Sequence, residues 1–430
     1  MSGDSEVLSI MEIVLTAEIF NQNPQLDIND LTPACREIFG TVDKTGKLNP
    51  GEIKRPVYVS EGKIKRALSI NDAFKKVSSN PFVASEEFGQ RLRITALEHA
   101  AQRFLNDGGK SVIENNPVLA FFFENFDSMG ISYKTVRANN SPVEDTRAYL
   151  DARISKLVGE DGKLGSALDL VILLAPDEVE QQMEDLVCTM EQTDIIEKIQ
   201  LAINHREFLL RHKIHEVGKL LFVGPPGTGK TSLALAMSRT MHMPVLEVRL
   251  SMITSQYLGE TSKNIDRIFE LAKKLAPSIL FIDEFDFVAK SRVADDHGAM
   301  KRAVNSLLKN IDKINLVKNN VLLIGATNHP QLLDEAAWRR FDEVVKFSLP
   351  DEEMRKNILM KVTSSIPCTL DYQQLASQTE GFSGSDLRMM VKEAILSALV
   401  KNRKTIVPED IMKGIDMVKN RNAIRHLTWI

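Results

Sequence analysis

The stretch from Gly224 to Thr231 carries the residue types that bind phosphate, in the order Gly224-Pro225-Pro226-Gly227-Thr228-Gly229-Lys230-Thr231. Four residues separate its first and last glycines, and a Lys-Thr pair follows, as in the phosphate-binding loop pattern. Such glycines allow successive backbone N–H groups to point into one concavity that holds the β- and γ-phosphates of a nucleotide. The lysine adds a positive charge, and the threonine hydroxyl is a ligand for Mg²⁺. The pattern therefore predicts binding of a nucleoside triphosphate.

The elements on either side of this loop must position it. Residues 219–223 form a short apolar run that is typical of a buried strand, and residues 232–241, beginning with Ser232, favour a helix. A loop between a strand and a helix N-terminus places its anion where the helix dipole stabilises negative charge. The flanking strand and helix therefore support the prediction of nucleotide binding. Ser232, at the start of the helical run, is expected to contact the nucleotide as well.

Two further strand ends carry polar groups. Residues 279–282 form a continuous apolar run that ends in Asp283-Glu284, and Asn328 closes another apolar run at 321–327. Ligands of open α/β sheets bind outside the carboxyl ends of parallel strands, so these side chains are expected beside the phosphates. Asp283 would hold Mg²⁺ through its water shell, Glu284 would polarise the attacking water, and Asn328 could orient that water.

Composition restricts the class of protein. The chain has 430 residues, which is longer than one hydrophobic core usually accommodates, so more than one domain is expected. Its net charge of −4 gives no reason to expect nucleic acid as a partner. Its three cysteines are far apart, which suits a reducing compartment without disulfide bonds. The first residues lack the basic start of a secretion signal, and no apolar run is long enough for a membrane span. We therefore expect a cytoplasmic protein.

The order of periodic segments predicts three domains. Residues 1–180 are expected to be mostly helical, with helical patterns at 5–20 and 88–104 and a short strand at 57–59. Residues 181–350 alternate strands and helices, which predicts an α/β fold with a mainly parallel sheet and helices on both faces. Residues 351–430 contain four helical segments and form a helical lid domain. The N-terminal domain is the expected site of substrate or adaptor recognition.

The motifs together resemble the AAA family within the AAA+ superfamily, the group that includes katanin, spastin and the proteasomal regulatory ATPases. The similarity runs from about residue 185 to residue 417. The motifs occur in the family's order: the phosphate loop, Phe281-Ile282-Asp283-Glu284, Gly325-Ala326-Thr327-Asn328, Leu333-Asp334-Glu335-Ala336 and Gly381-Phe382-Ser383-Gly384-Ser385-Asp386-Leu387. The resemblance implies ATP and Mg²⁺ as cofactors and hydrolysis of ATP to ADP and phosphate.

The resemblance also implies roles for single residues. Asn328 would sense the γ-phosphate, and Gly384 and Ser385 would lie near the adenine. Leu186 and Val187 would line the other side of the adenine, although Cys188-Thr189 stands where relatives often have two glycines.

Arg339 and Arg340 are surface charges at a helix end when judged by the sequence alone. In the family, arginines at this place reach the γ-phosphate bound to the neighbouring subunit and stabilise its charge. The two are adjacent here, whereas relatives usually place two residues between them, so which one makes the contact stays open. A contact in trans requires a closed ring, by resemblance a homo-hexamer.

Tyr257-Leu258-Gly259 follows the second strand of the predicted sheet. A helix-entry turn with a packed aromatic is one interpretation. By resemblance, these residues form the loop that projects into the central pore and grips an extended polypeptide, because an aromatic face packs on almost any side chain. The leading hypothesis is thus an ATP-driven machine that remodels proteins. The alternatives are an AAA+ protein acting on nucleic acid and an ATP-gated scaffold that does not thread its substrate.

Overall fold

The computed structural model describes residues 2–42, 48–49, 53–86, 91–124, 126, 130–160, 164–249, 261–286, 298–368 and 370–426. The chain divides into two compact units, Met1–Arg153 and Ile154–Ile430. This division lies before the predicted domain boundary at residue 180, because residues 154–180 contribute a strand to the second unit. None of the helices among these residues combines the length and the apolar character that a membrane crossing needs.

The first unit is built around a long buried helix. Helix α1 spans Ser2–Gln22, as the pattern at 5–20 predicted, and Ile10, Leu15 and Ile19 are fully enclosed in its core. The phenylalanines near residue 123 pack into the same core. The remaining helices of this unit are α2 (Pro33–Phe39), α3 (Glu61–Leu68), α4 (Ala73–Val77), α5 (Leu97–Phe104), α6 (Lys110–Ile113), α7 (Pro117–Phe123), α8 (Tyr133–Asn139) and α9 (Arg147–Glu160), which crosses the division.

The first unit also contains more β-structure than the sequence indicated. Strands β1 (Thr41–Val42) and β2 (Leu48–Asn49) form an antiparallel pair, and β3 (Val59–Ser60), β5 (Arg91–Ile94) and β4 (Val83–Glu86) form an antiparallel sheet in that order. The helical pattern predicted over 88–104 was therefore wrong in its first part. Leu92 and Ile94 are buried at alternate positions, which is the period of a strand.

The second unit contains a six-stranded sheet. Its strands are β6 (Val171–Leu174), β7 (Lys219–Val223), β8 (Val245–Arg249), β9 (Ser278–Asp283), β10 (Val321–Thr327) and β11 (Glu343–Lys346). The order across the sheet is β11-β7-β10-β9-β8-β6, and every neighbouring pair is parallel except β6 with β8. The carboxyl ends of β7, β10 and β9 therefore meet at one edge.

The central strands are buried on both faces, as continuous apolar runs predict. Leu220 and Phe222 of β7 share a core with Phe281 of β9 and Ile324 of β10. The helices that accompany the sheet are α10 (Gly165–Leu168), α11 (Met190–Asn204), α12 (Arg206–Arg211), α13 (Lys230–Met241), α14 (Thr261–Lys274), α15 (Gly298–Lys313), α16 (Leu316–Asn319) and α17 (Glu335–Trp338).

Four helices follow the last strand, as predicted. They are α18 (Glu352–Val362), α19 (Tyr372–Gln378), α20 (Gly384–Val400) and α21 (Pro408–His426). A separate core that includes Leu359, Leu387 and Ile411 holds them together. We call these four helices the lid. The α/β fold with a helical lid and a largely helical N-terminal region is thus confirmed.

Candidate functional site

The phosphate-binding loop joins β7 to α13 at the edge where the central strands end. Its backbone needs glycine at more than one point. A Cβ added to Gly224 would lie 1.9 Å from the carbonyl oxygen of Phe347, and Gly227 has a φ of +78°. The close approach at Gly224 leaves no room for a side chain, and the positive φ at Gly227 strongly favours glycine. The glycine spacing of the sequence is therefore a geometric requirement of this fold.

Lys230 is the first residue of α13 and is almost fully buried. Its ammonium group donates hydrogen bonds to the carbonyl oxygens of Gly224 and Pro225, each at 2.8 Å. Burial lowers the pKa of Lys230 to about 8, and the nearby Asp283 carboxylate opposes that shift. The lysine thus lies inside the loop, where a phosphate could replace the two carbonyl oxygens as its partner.

The acidic pair lies where β9 ends. Asp283 is the last residue of the strand and accepts a hydrogen bond from the N–H of Glu284 at 2.8 Å. Glu284 has a φ of +52°, in the left-handed region that residues other than glycine rarely adopt. Strain of this kind persists only where the surrounding structure holds it, and it is frequent at functional sites. The turn therefore departs from regular geometry at the residue for which a catalytic role is predicted.

One cavity of about 340 Å³ brings most of the predicted nucleotide site together. Asn328, which follows β10, lines it together with Asp283 and Lys230. Its other predicted members are Leu186, Val187, Pro226, Gly227, Thr228, Gly229, Thr231, Ser232, Gly384 and Ser385. Gly224, Pro225 and Glu284 are not among its lining residues, although Gly224 and Pro225 accept hydrogen bonds from Lys230. The structure thus assembles residues that the sequence spreads over two hundred positions.

Several wall residues escaped the sequence analysis. They are Asp185, Cys188, Gln192, Leu233, Phe347, Ile358, Val362 and Arg388. Arg388 could have been found, because it lies one helical turn after Gly384 and therefore shares its face of α20. Burial raises the pKa of the Cys188 thiol, although Lys361 opposes the shift.

Thr189 fixes how the chain turns into α11 at this wall. It is the N-cap of α11: its hydroxyl accepts a hydrogen bond from the N–H of Gln192 at 3.3 Å. The Gln192 side chain in turn accepts from the N–H of Thr189 at 3.0 Å and donates to the carbonyl oxygen of Lys346 at 3.1 Å. This capping box fixes the direction of the chain between Val187 and the sheet.

The lid touches the phosphate-binding loop directly. The N–H of Ser385 donates to the carbonyl oxygen of Gly227 at 3.1 Å. A Cβ added to Gly227 would lie 2.1 Å from the Ser385 hydroxyl oxygen. Ser383 is the N-cap of α20, and its hydroxyl donates to the carboxylate of Asp386 at 2.7 Å. The capping box of α20 therefore positions Gly384 and Ser385 over the loop.

The two adjacent arginines differ in their surroundings. The Arg340 guanidinium donates to the carbonyl oxygens of Leu308, at 3.2 Å, and Ala336, and lies 3.2 Å from the Asp312 carboxylate. The side chain of Arg339 is 71% exposed, and its guanidinium is 4.0 Å from the Glu335 carboxylate. Neither residue lines the cavity described above. Tyr257, Leu258 and Gly259 lie outside the described residues.

A glycine-rich loop between a strand and a helix, an acidic pair and an asparagine at neighbouring strand ends, and a helical lid are the features of a P-loop ATPase fold. Sequence comparison agrees. The family model described as "ATPase family associated with various cellular activities (AAA)" matches residues 220–349, and the AAA+ lid domain model matches residues 369–413.

Individual relatives extend this agreement. The chain is 32% identical over 259 residues to the uncharacterized AAA family ATPase y4kL of Sinorhizobium fredii, an alignment that covers 60% of this chain and 76% of that protein. It is 34% identical to spastin of Ixodes scapularis (65% of this chain, 43% of that protein) and 34% identical to the proteasome-activating nucleotidase of Pyrococcus horikoshii (55% and 61%). The chain belongs to the AAA family and is an ATPase.

Proposed function

We propose that the chain hydrolyses ATP within a homo-oligomeric ring, by resemblance a hexamer, in which each nucleotide site is completed by Arg339 of the neighbouring subunit. The observation that carries this proposal is the contrast between the two arginines. Arg340 is held by Leu308, Ala336 and Asp312, whereas Arg339 is exposed and outside its own subunit's nucleotide cavity. An exposed arginine away from its own site suits a role in trans.

Within one site, the residues divide the work. Lys230 would exchange its two carbonyl partners for phosphate oxygens, and Glu284 would take a proton from the attacking water, which Asn328 orients. The exposed guanidinium of Arg339 would stabilise the negative charge that develops on the transferred phosphoryl group. Leu186, Val187, Gly384 and Ser385 would hold the base.

The cofactor Mg²⁺ fits this arrangement. Thr231 and Asp283 line the same cavity and offer the oxygen ligands that this ion prefers. Among the described residues, no group of three or more histidine, cysteine or acidic side chains could hold a metal ion. Mg²⁺ would therefore arrive with the nucleotide, bound mainly by phosphate and water, and would neutralise charge on the β- and γ-phosphates.

Mixed oligomers test the action in trans. Lys230→Ala subunits cannot bind ATP but keep Arg339, and Arg339→Ala subunits keep an intact site. We expect each to be inactive alone and their mixture to recover ATPase activity. Size-exclusion chromatography with ATP checks that both variants assemble. If assembled mixtures show no recovery at any ratio, Arg339 does not act across an interface.

We propose that ATP hydrolysis drives the remodelling of a protein substrate. The support is the resemblance around Tyr257-Leu258-Gly259 and the names of relatives such as the proteasome-activating nucleotidase. We expect a cytoplasmic protein whose N-terminal residues 1–180 recruit the substrate or an adaptor. Tyr257→Ala should abolish substrate unfolding while ATPase activity and assembly persist, and Tyr257→Phe should retain unfolding. Equal unfolding by both variants would show that the Tyr257 ring does not grip the substrate, and ATPase activity without unfolding by the unmodified protein would favour the ATP-gated scaffold.

A further inference from the structure

Two buried phenylalanines connect the turn of Glu284 to the turn of the arginines. Phe285 directly follows Glu284 and Phe341 directly follows Arg340 in the chain. Phe285 is completely enclosed and Phe341 is nearly so. Their ring centroids lie 5.2 Å apart with an interplanar angle of 85°, an edge-to-face arrangement. One aromatic contact thus joins two segments that are distant in sequence and that serve two different nucleotide sites in the proposed ring.

Phe285 is fixed with respect to the strained turn. Its N–H donates to the carbonyl oxygen of Ala326 at 2.8 Å, so the backbone after Glu284 is tied to β10. The next residue, Asp286, is buried and accepts a hydrogen bond from the Thr327 hydroxyl at 3.2 Å. Since Glu284 lies at a φ of +52°, these anchors must hold a conformation that the residue would not adopt unaided.

Phe341 is held between Phe285 and the sheet. A Cβ added to Gly325 of β10 would lie 3.0 Å from the tip of the Phe341 ring, so the glycine provides the space that the ring fills. The following residue, Asp342, exchanges two hydrogen bonds with Lys219 of β7, at 2.8 and 3.0 Å. Close packing on every side means that a displacement of one ring displaces the other.

We propose that the Phe285–Phe341 pair positions two catalytic groups at once: Glu284 in the subunit's own site and Arg339, which the subunit gives to its neighbour. Phe285 and Phe341 are positioning residues, since they act through Glu284 and Arg339. The pair would couple the state of one nucleotide site to the activity of the next. This inference rests on the proposed action of Arg339 in trans.

The test uses the mixed oligomers with a change in the arginine donor alone. The reference mixture contains Lys230→Ala donors and Arg339→Ala acceptors. In the test mixture the donor also carries Phe285→Leu. The donor's own site is already inactive, so Phe285 can affect turnover only through the arginine that this subunit supplies. The matched control is a donor with Phe269→Leu, which also shortens a fully buried phenylalanine but lies on α14.

We expect the Phe285→Leu donor to lower the restored kcat about tenfold or more, because small misplacements of a catalytic group cost that much. The KM for ATP should stay within about twofold, because the acceptor's own nucleotide-binding residues are unaltered. The Phe269→Leu donor should restore activity like the reference donor. A Phe285→Leu donor that assembles and restores full kcat overturns the inference and leaves the action in trans intact. A reference mixture without activity overturns both.

A second donor variant keeps the inference testable if the Phe285→Leu donor does not fold. Gly325→Ala retains both rings, and its added methyl group would press on the edge of the Phe341 ring, at 3.0 Å, and less closely on the Leu221 side chain, at 3.3 Å. We expect it to lower the restored kcat in the same direction as Phe285→Leu, with a thermal melting curve like that of the Phe269→Leu donor. If the Phe285→Leu donor does not fold, this variant decides, and full restoration by a folded Gly325→Ala donor contradicts the coupling.

Discussion

The different surroundings of Arg339 and Arg340 predict opposite consequences for stability and for catalysis. Arg340→Ala removes hydrogen bonds to the carbonyl oxygens of Leu308 and Ala336 and the ion pair with Asp312. Bonds made by charged donors contribute about 1.5–3 kcal/mol each when buried, and the contribution falls with exposure. Because the Arg340 side chain is 25% exposed, we expect a total loss of about 2–3 kcal/mol.

Arg339→Ala should behave in the opposite way. Its side chain is 71% exposed and has one long ion pair, so the change in the free energy of unfolding should stay within about 0.5 kcal/mol. The loss of an arginine that stabilises the transferred phosphoryl group lowers kcat by about 10³-fold or more. Arg340→Ala, assayed below its melting transition, should lower kcat less than Arg339→Ala does.

The assay compares urea unfolding and steady-state ATP hydrolysis of assembled protein for both variants. Arg211→Ala is the matched control, because Arg211 is similarly exposed, at 76%, and pairs with a glutamate four residues away at 3.4 Å. It should change neither quantity. The assignment is refuted if Arg339→Ala retains full turnover while Arg340→Ala loses turnover without a loss of stability.

Three further predictions follow from single residues. Glu284→Gln should bind ATP like the unmodified protein but lower kcat by about 10²–10⁴-fold, and brisk hydrolysis in a phosphate-release assay would remove its catalytic role. ATP affinity should weaken about tenfold per pH unit above the Lys230 pKa of about 8, since the deprotonated amine no longer attracts phosphate. Calorimetry of the unmodified protein across pH 7–10 measures this decline, and an affinity that stays constant over that range would contradict it. Burial alone would raise the pKa of Asp410, but hydrogen bonds from Lys401 and Arg403 hold it well below its usual range. Asp410→Asn should therefore lower the melting temperature at pH 7, and the difference should shrink below about pH 4, where the unfolded carboxyl protonates.

Local patterns were sufficient to predict most of the residues that line the cavity. The phosphate-binding loop, the apolar run before Asp283 and the run before Asn328 each specify a strand that ends in a polar group, and parallel order brings those ends together. The lid helices were predictable because Ser383 marks a helix start and the apolar periodicity is regular. These features depend on residues close together in sequence.

Features that depend on distant contacts could not be predicted. The strand Val171–Leu174 pairs antiparallel with β8, and nothing in its composition indicates which unit it joins. The strand Arg91–Ile94 is too short for its alternation to outweigh the neighbouring helical pattern. The anchoring of Arg340 depends on carbonyl groups of α15 and α17. The capping box of Thr189 and Gln192 was visible as a Thr-x-x-Gln pattern and was missed.

The hydrogen bond between Gly227 and Ser385 connects the lid to the phosphate-binding loop of the sheet. The carbonyl oxygen of Gly227 accepts the N–H of Ser385, and both residues line the cavity. A nucleotide that orders the phosphate-binding loop therefore also orders the surface on which the start of α20 rests. If Phe285 and Phe341 position Arg339 as proposed, a bound nucleotide would influence both the lid and the arginine offered to the next subunit.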